Sequence, residues 1–121
     1  MNEILCKRIY EPAKNEDGFR ILVDRLWPRG IKKETAAIDL WSKDIAPTGE
    51  LRKWFAHSPG RYKEFTERYR QELDSNPAAQ FFADYCAARL QDGNVTLLYS
   101  AKDKENNNAA VLRQWLKENI C

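Results

Sequence analysis

Apolar residues come in short runs near the start of this chain, then at helical spacing through its middle, then as one more run and one more stripe. Ile4 to Ile9 is rich in aliphatic residues and reads as a strand. Glu11 to Gly18 follows as a polar loop with Pro12 and the turn pair Asp17-Gly18. Phe19 to Arg25 is a second strand, and its run Ile21-Leu22-Val23 is apolar on both faces, as a central strand requires. The loop between these strands is short for a parallel crossover, which leaves an antiparallel pairing of the first two strands open. Leu26 to Glu34 cannot be regular throughout, because Pro28 lacks a donor and Gly30 permits a turn. Ile38 to Ile45 alternates weakly and predicts a short third strand, ended by Pro47.

Three helical segments follow. Thr48 is an N-cap for Gly49 to Ala56, and Ser58-Pro59 opens a helix with Tyr62, Phe65, Tyr69 and Leu73 on one stripe. That stripe reads as core, and the charges around it as a solvated face with i,i+4 pairs. Asn76-Pro77 repeats the start signal, and this helix presents Phe81, Phe82, Tyr85 and Leu90 before stopping near Asp92-Gly93, where glycine suits a left-handed exit. Val95 to Tyr99 is another strand, Ser100 to Asn107 a polar loop, and Ala109 to Asn119 a helix with Val111, Leu112, Trp115 and Leu116 on one face. The prediction is a single α/β domain over 1–121, a small and mostly parallel central sheet with helices packed on it.

At 121 residues the chain can bury one core, and 31% charged residues keep its surface solvated. A net charge of +2 is too mild to argue by itself for nucleic acid. Cys6, Cys86 and Cys121 are an odd set without CxxC spacing, and with one His they give no basis for a disulfide framework or a zinc site. Cys6 and Cys86 read as core thiols and Cys121 as a surface thiol. The start, Met1-Asn2-Glu3-Ile4, is unlike a signal peptide, and no apolar stretch is long enough for a membrane span. The expectation is a reduced, cytoplasmic protein with no membrane partner. There is neither a GxGxxG nor a P-loop, so no cofactor is assigned.

In open α/β sheets ligands bind beyond the carboxyl ends of the strands. Asp24, Arg25, Trp27 and Arg29 follow the second strand, Lys43 and Asp44 the third, and Ser100, Lys102, Asp103 and Asn106 to Asn108 the last. If the strands are parallel, these groups share one edge. Arg25, Arg29 and Lys43 would then bind an anion, Trp27 would stack on it, and Asp24 or Asp103 would move a proton. Ser100, Lys102 and Asn107 would complete the ligand-binding set at the last helix's N-terminus. The plainer alternatives are an internal Asp24–Arg25 ion pair, a Lys43–Asp44 pair at a turn, and an Asn that only caps the helix. His57, the only histidine, lies beside Trp54 and Phe55 without a nucleophile motif around it.

The blocks DGFR (17–20), LVDRLWPRG (22–30), WSKDIAP (41–47), LRKWFAH (51–57) and VTLLYSAKD (95–103), with Phe65, Arg68, Tyr69 and Leu73, stand together from about Cys6 to Trp115. In this the chain resembles the YeaO-like proteins, a branch of a large family of unknown function. The resemblance implies an α/β domain with a central sheet and no established activity. Other branches of that family carry a Cys-His-Arg cluster after the last strand, where this chain has Asn106-Asn107-Asn108, so thiol chemistry suggested for them does not transfer.

Three functions compete. The first is binding of a small anionic molecule, a nucleotide or a phosphorylated or carboxylated metabolite, with or without catalysis. The second is a nucleic-acid module, which needs Arg29, Lys32, Lys33, Lys43, Arg52 and Lys53 on one surface. The third is an interaction protein or homodimer using its aromatic residues, since the sequence leaves oligomeric state open.

Overall fold

The run Val95–Tyr99 offers an apolar side chain to both sides of the backbone, and the fold is built around it. The computed structural model describes residues 2–120. Its strands are β1 (Ile4–Arg8), β2 (Phe19–Leu22), β3 (Leu40–Trp41) and β4 (Val95–Tyr99). They form one sheet in the order β1-β4-β2-β3, and every pairing is parallel. β4 is central and buried along all five residues, in register with Ile4 to Arg8 on one side and with Phe19 to Leu22 on the other.

The open antiparallel option for the first two strands is therefore corrected. They never pair, because β4 inserts between them. The ten residues 9–18 suffice for the return. They reach roughly 33–36 Å when extended. A strand of this length needs about 17 Å and two strand spacings about 10 Å more. Gly18 lets this connection close. It has φ +66°, and a Cβ there would stand 2.0 Å from the carbonyl oxygen of Asn94.

The helices are α1 (Gly49–Phe55), α2 (Tyr62–Ser75), α3 (Pro77–Arg89) and α4 (Asn108–Asn119). All four pack on one face of the sheet, where Ile21, Val23, Val95, Leu97 and Tyr99 meet Phe55, Phe65, Tyr69, Phe82 and Leu112. The other face is covered by irregular chain. Ile9, Leu22 and Leu98 pack there under Trp27, Ile31, Ile38 and Trp41. A polar network completes that cover. Asp17 accepts from Lys7 and Arg20, and Arg20 also donates to the carbonyl of Ala37 at 2.8 Å. Every member is paired, as burial of charge requires.

The caps follow the sequence. Thr48 accepts from the Leu51 N–H, Asn76 from Ala78 with Pro77 at the first helical position, and Asn107 from Ala110. Five details differ. β2 ends at Leu22 and not at Arg25, because the chain turns irregular from there. α2 starts at Tyr62, because Pro59–Arg61 forms a 3-10 turn first and the Ser58 side chain accepts no capping bond. The third strand is reduced to Leu40–Trp41, since Lys43–Ile45 turns into a second 3-10 element. The positive-φ glycines are Gly18 and Gly30, not Gly93, and α3 ends through tight turns to Ala88 and Arg89 carbonyls. Phe81 points to solvent at 74% exposure, because α3 can bury only one side and Phe82 and Cys86 take it. Cys86 is buried and Cys6 half-buried, while Cys121 lies outside the described residues. Among the described residues no helix is long and apolar enough to cross a membrane.

Candidate functional site

Parallel strands place all their carboxyl ends at one edge, and there the chain forms a hollow of about 320 Å³. Asp24, Arg25, Trp27 and Arg29 line it from the segment after β2, Ser100 from the end of β4, and Asn107 and Asn108 from the start of α4. Arg52, Phe55 and His57 close it from α1 and its exit.

Asp24 ties the edge together. One carboxylate oxygen accepts from the backbone N–H of Ser100 at 2.9 Å and from its hydroxyl at 2.8 Å. The other accepts from the Asn108 amide at 3.1 Å, and the same amide nitrogen reaches the Val23 carbonyl at 3.1 Å. One side chain thus joins the ends of β2 and β4 to the first turn of α4. The Asp24–Arg25 ion pair weighed from the sequence does not form. Arg25 instead donates to the carbonyls of Pro47 at 3.0 Å and Ala46 at 3.1 Å. A guanidinium carries five N–H groups, so these two bonds leave others for a ligand.

The loop from Asp24 to Ile31 is irregular yet well held. Trp41 donates its indole N–H to the Asp24 carbonyl at 2.7 Å, and Trp27 donates to the Ile31 carbonyl at 2.7 Å. The two indoles meet edge to face with centroids 5.4 Å apart. Gly30 has φ +80°, and Tyr10 donates its hydroxyl to the Arg29 carbonyl at 2.8 Å. The backbone of Arg29 is therefore anchored while its side chain is exposed.

The electrostatics of the hollow are one-sided. Among the described residues, Arg25, Arg29 and Arg52 form no ion pair with a carboxylate. Asp24 is the only acidic residue in the lining, and both its oxygens already accept hydrogen bonds. His57 is exposed at the mouth, where Ala56 and His57 follow each other at φ +47° and +55°. Left-handed non-glycine residues cost roughly 1–2 kcal/mol each, so the chain holds His57 at the hollow against a local preference.

Of the residues nominated from the sequence, Asp24, Arg25, Trp27, Arg29, Ser100 and Asn107 come together here, and Lys43, Lys102 and Asp103 do not line the hollow. Lys43 lies over the Trp41 ring, 4.8 Å from its centroid, and forms no pair with Asp44. Asp103 organises its own loop by accepting from the N–H groups of Glu105 and Asn106, both at 2.9 Å. Those bonds, with one from the Asn106 amide, hold its carboxyl below the ordinary carboxylate pKa. Asn107 has its side chain fully engaged, capping α4 and donating to the Asp103 carbonyl at 3.0 Å. Arg52 was not in the nominated site, and a rule based on strand ends is blind to it, since it sits on a helix. In the sequence Arg52 stood only among the basic residues weighed for a nucleic-acid surface.

A family model described as the inactive DUF488-N3 subclade matches residues 3–121. The chain belongs to this family. The uncharacterized protein YeaO of Escherichia coli (strain K12) is 50% identical over 115 residues, covering 94% of this chain and 96% of YeaO. The uncharacterized proteins Rv3073c of Mycobacterium tuberculosis and Mb3100c of Mycobacterium bovis are each 38% identical over 109 residues, 90% of this chain and 89% of theirs. No solved structure matches the chain. In this chain Asn106, Asn107 and Asn108 are hydrogen-bonded scaffold, to Asp103, to the α4 N-terminus and to Asp24 respectively.

Proposed function

We propose that this domain binds a small anionic metabolite, through a phosphate or carboxylate, in the hollow at the carboxyl edge of its sheet. The observation that carries the reading is an imbalance: three arginines without carboxylate partners face a lining whose one acid already accepts three hydrogen bonds. Guanidinium groups take oxyanions through paired, charge-assisted hydrogen bonds, and Arg25 is already oriented by two carbonyls. The positive end of the α4 dipole lies at the same edge, where Asn107 already caps the Ala110 N–H. In this reading Asp24 is a positioning residue rather than a proton carrier, since three donors hold it. The family's description as inactive agrees with binding in place of catalysis.

The test is calorimetric titration with a panel of phosphorylated and carboxylated metabolites, repeated with Arg29→Ala and Arg52→Ala. Both side chains are exposed and make no hydrogen bonds of their own, so each variant should keep wild-type stability within about 0.5 kcal/mol. Affinity should fall about tenfold or more per variant, the loss of one charge-assisted bond. Unchanged affinity in the double variant, or no anion bound at low salt, refutes the reading.

A further inference from the structure

Resting on that reading, we infer that the occupant of the hollow is a nucleoside phosphate monoester, a flat base joined through a sugar to one phosphate. A space of about 320 Å³ is far larger than a tetrahedral oxyanion. It corresponds to about ten waters at roughly 30 Å³ each. The ligand therefore has a body as well as an anionic head. The rings of the lining that are open to that body are the half-buried Trp27 indole and the exposed Tyr10 and His57. Phe55 and Phe65 stack on each other at 4.3 Å and are buried, so they back the hollow from the core and do not stack on a ligand. Trp27 is half-buried and pinned by its indole N–H, so its orientation is set before any ligand arrives. Guanidinium planes stack on flat rings, and those of Arg29 and Arg52 are unpaired at this edge.

The one carboxylate of the lining, Asp24, already accepts three hydrogen bonds and stands against three arginines, so the lining favours an anionic head over the ammonium group of an amino acid or polyamine. Rings stacking on bases add affinity with little regard to which base is present. The chemistry is shared by a free mononucleotide and by the 5′-phosphorylated end of a strand.

The experiment titrates the full chain with AMP, ribose 5-phosphate, adenosine and a 5′-phosphorylated tetranucleotide. AMP should bind about tenfold to a hundredfold more tightly than ribose 5-phosphate, the range that stacking of one base provides. Adenosine should bind far more weakly than AMP. A tetranucleotide tighter than AMP identifies a strand end, and one equal or weaker identifies the free nucleotide. Trp27→Leu should erase the advantage of AMP over ribose 5-phosphate, and Trp27→Phe should retain most of it. Should Trp27→Leu fail to fold, the ligand series and Trp27→Phe still decide. Ribose 5-phosphate binding within threefold of AMP overturns the nucleotide assignment while leaving the anion site intact. Binding of none of these anions removes the anion site as well.

Discussion

Replacing Asp24 with alanine removes the acceptor shared by the Ser100 N–H, the Ser100 hydroxyl and the Asn108 amide. Hydrogen bonds to a charged group contribute roughly 1.5–3 kcal/mol each when buried, and an orphaned donor costs 1–3 kcal/mol. Asp24 and Ser100 are half-buried, so water can reach part of what is lost and the sum must be discounted. The hydroxyl rotates to a new partner, and Asn108 retains its bond to the Val23 carbonyl. The Ser100 N–H is the group left with least recourse. A net loss of about 2–3 kcal/mol follows, a fall in melting temperature on the order of 10 °C for a domain of this size. Asp24→Asn should lose less, about 1–2 kcal/mol. Its one oxygen can serve Ser100, but its NH₂ then faces the NH₂ of Asn108, and flipping Asn108 would break the Val23 bond. Urea unfolding measures both variants, and a shift in midpoint at constant slope reports stability alone. A double-mutant cycle between Asp24→Ala and Asn108→Ala should show coupling of at least about 0.5 kcal/mol. An Asp24→Ala midpoint equal to wild type would refute the account of Asp24 as the tie at the sheet edge.

Two further outcomes test the fold. Gly18→Ala should cost more than about 4 kcal/mol or prevent folding, because a Cβ would overlap the Asn94 backbone. Gly30→Ala, with φ +80° but open space around it, should cost only about 1–2 kcal/mol, and equal melting temperatures for the two would contradict the close-approach argument. Burial opposes ionisation of Asp17, but hydrogen bonds from the Lys14 N–H, Lys7 and Arg20 outweigh it and lower its pKa. Since the unfolded value is near 3.9, this contribution is complete above about pH 5 and is lost as pH falls through the depressed folded value. Asp17→Asn should therefore be less stable at neutral pH and show a shallower acid limb in a stability–pH series; an unchanged acid limb would show that other carboxylates dominate.

Much of the local structure is written in local patterns. Apolar runs mark β2 and β4, and Thr48, Asn76-Pro77 and Asn107 start three helices, because capping needs only residues within one turn. The same locality explains the misreadings at Gly93 and Phe81. A glycine permits a left-handed exit without requiring one, and an aromatic residue on a helix does not reveal whether a neighbour will cover it. The candidate site was half legible. The stretch Asp24 to Arg29 stood out by composition, while Arg52 had no strand before it and Lys43 turned out to lie on Trp41.

What the sequence by itself determined is which segments are strands or helices, which faces are apolar and where chains must turn, since these rest on neighbours a few residues away. Only the tertiary structure decided that β4, last in sequence, sits between β1 and β2, that every helix covers one face, and that Asp24 meets Ser100. Those contacts join groups 76 residues apart. Their choice depends on how whole apolar faces are buried together, a global balance of burial against chain closure that no local pattern contains.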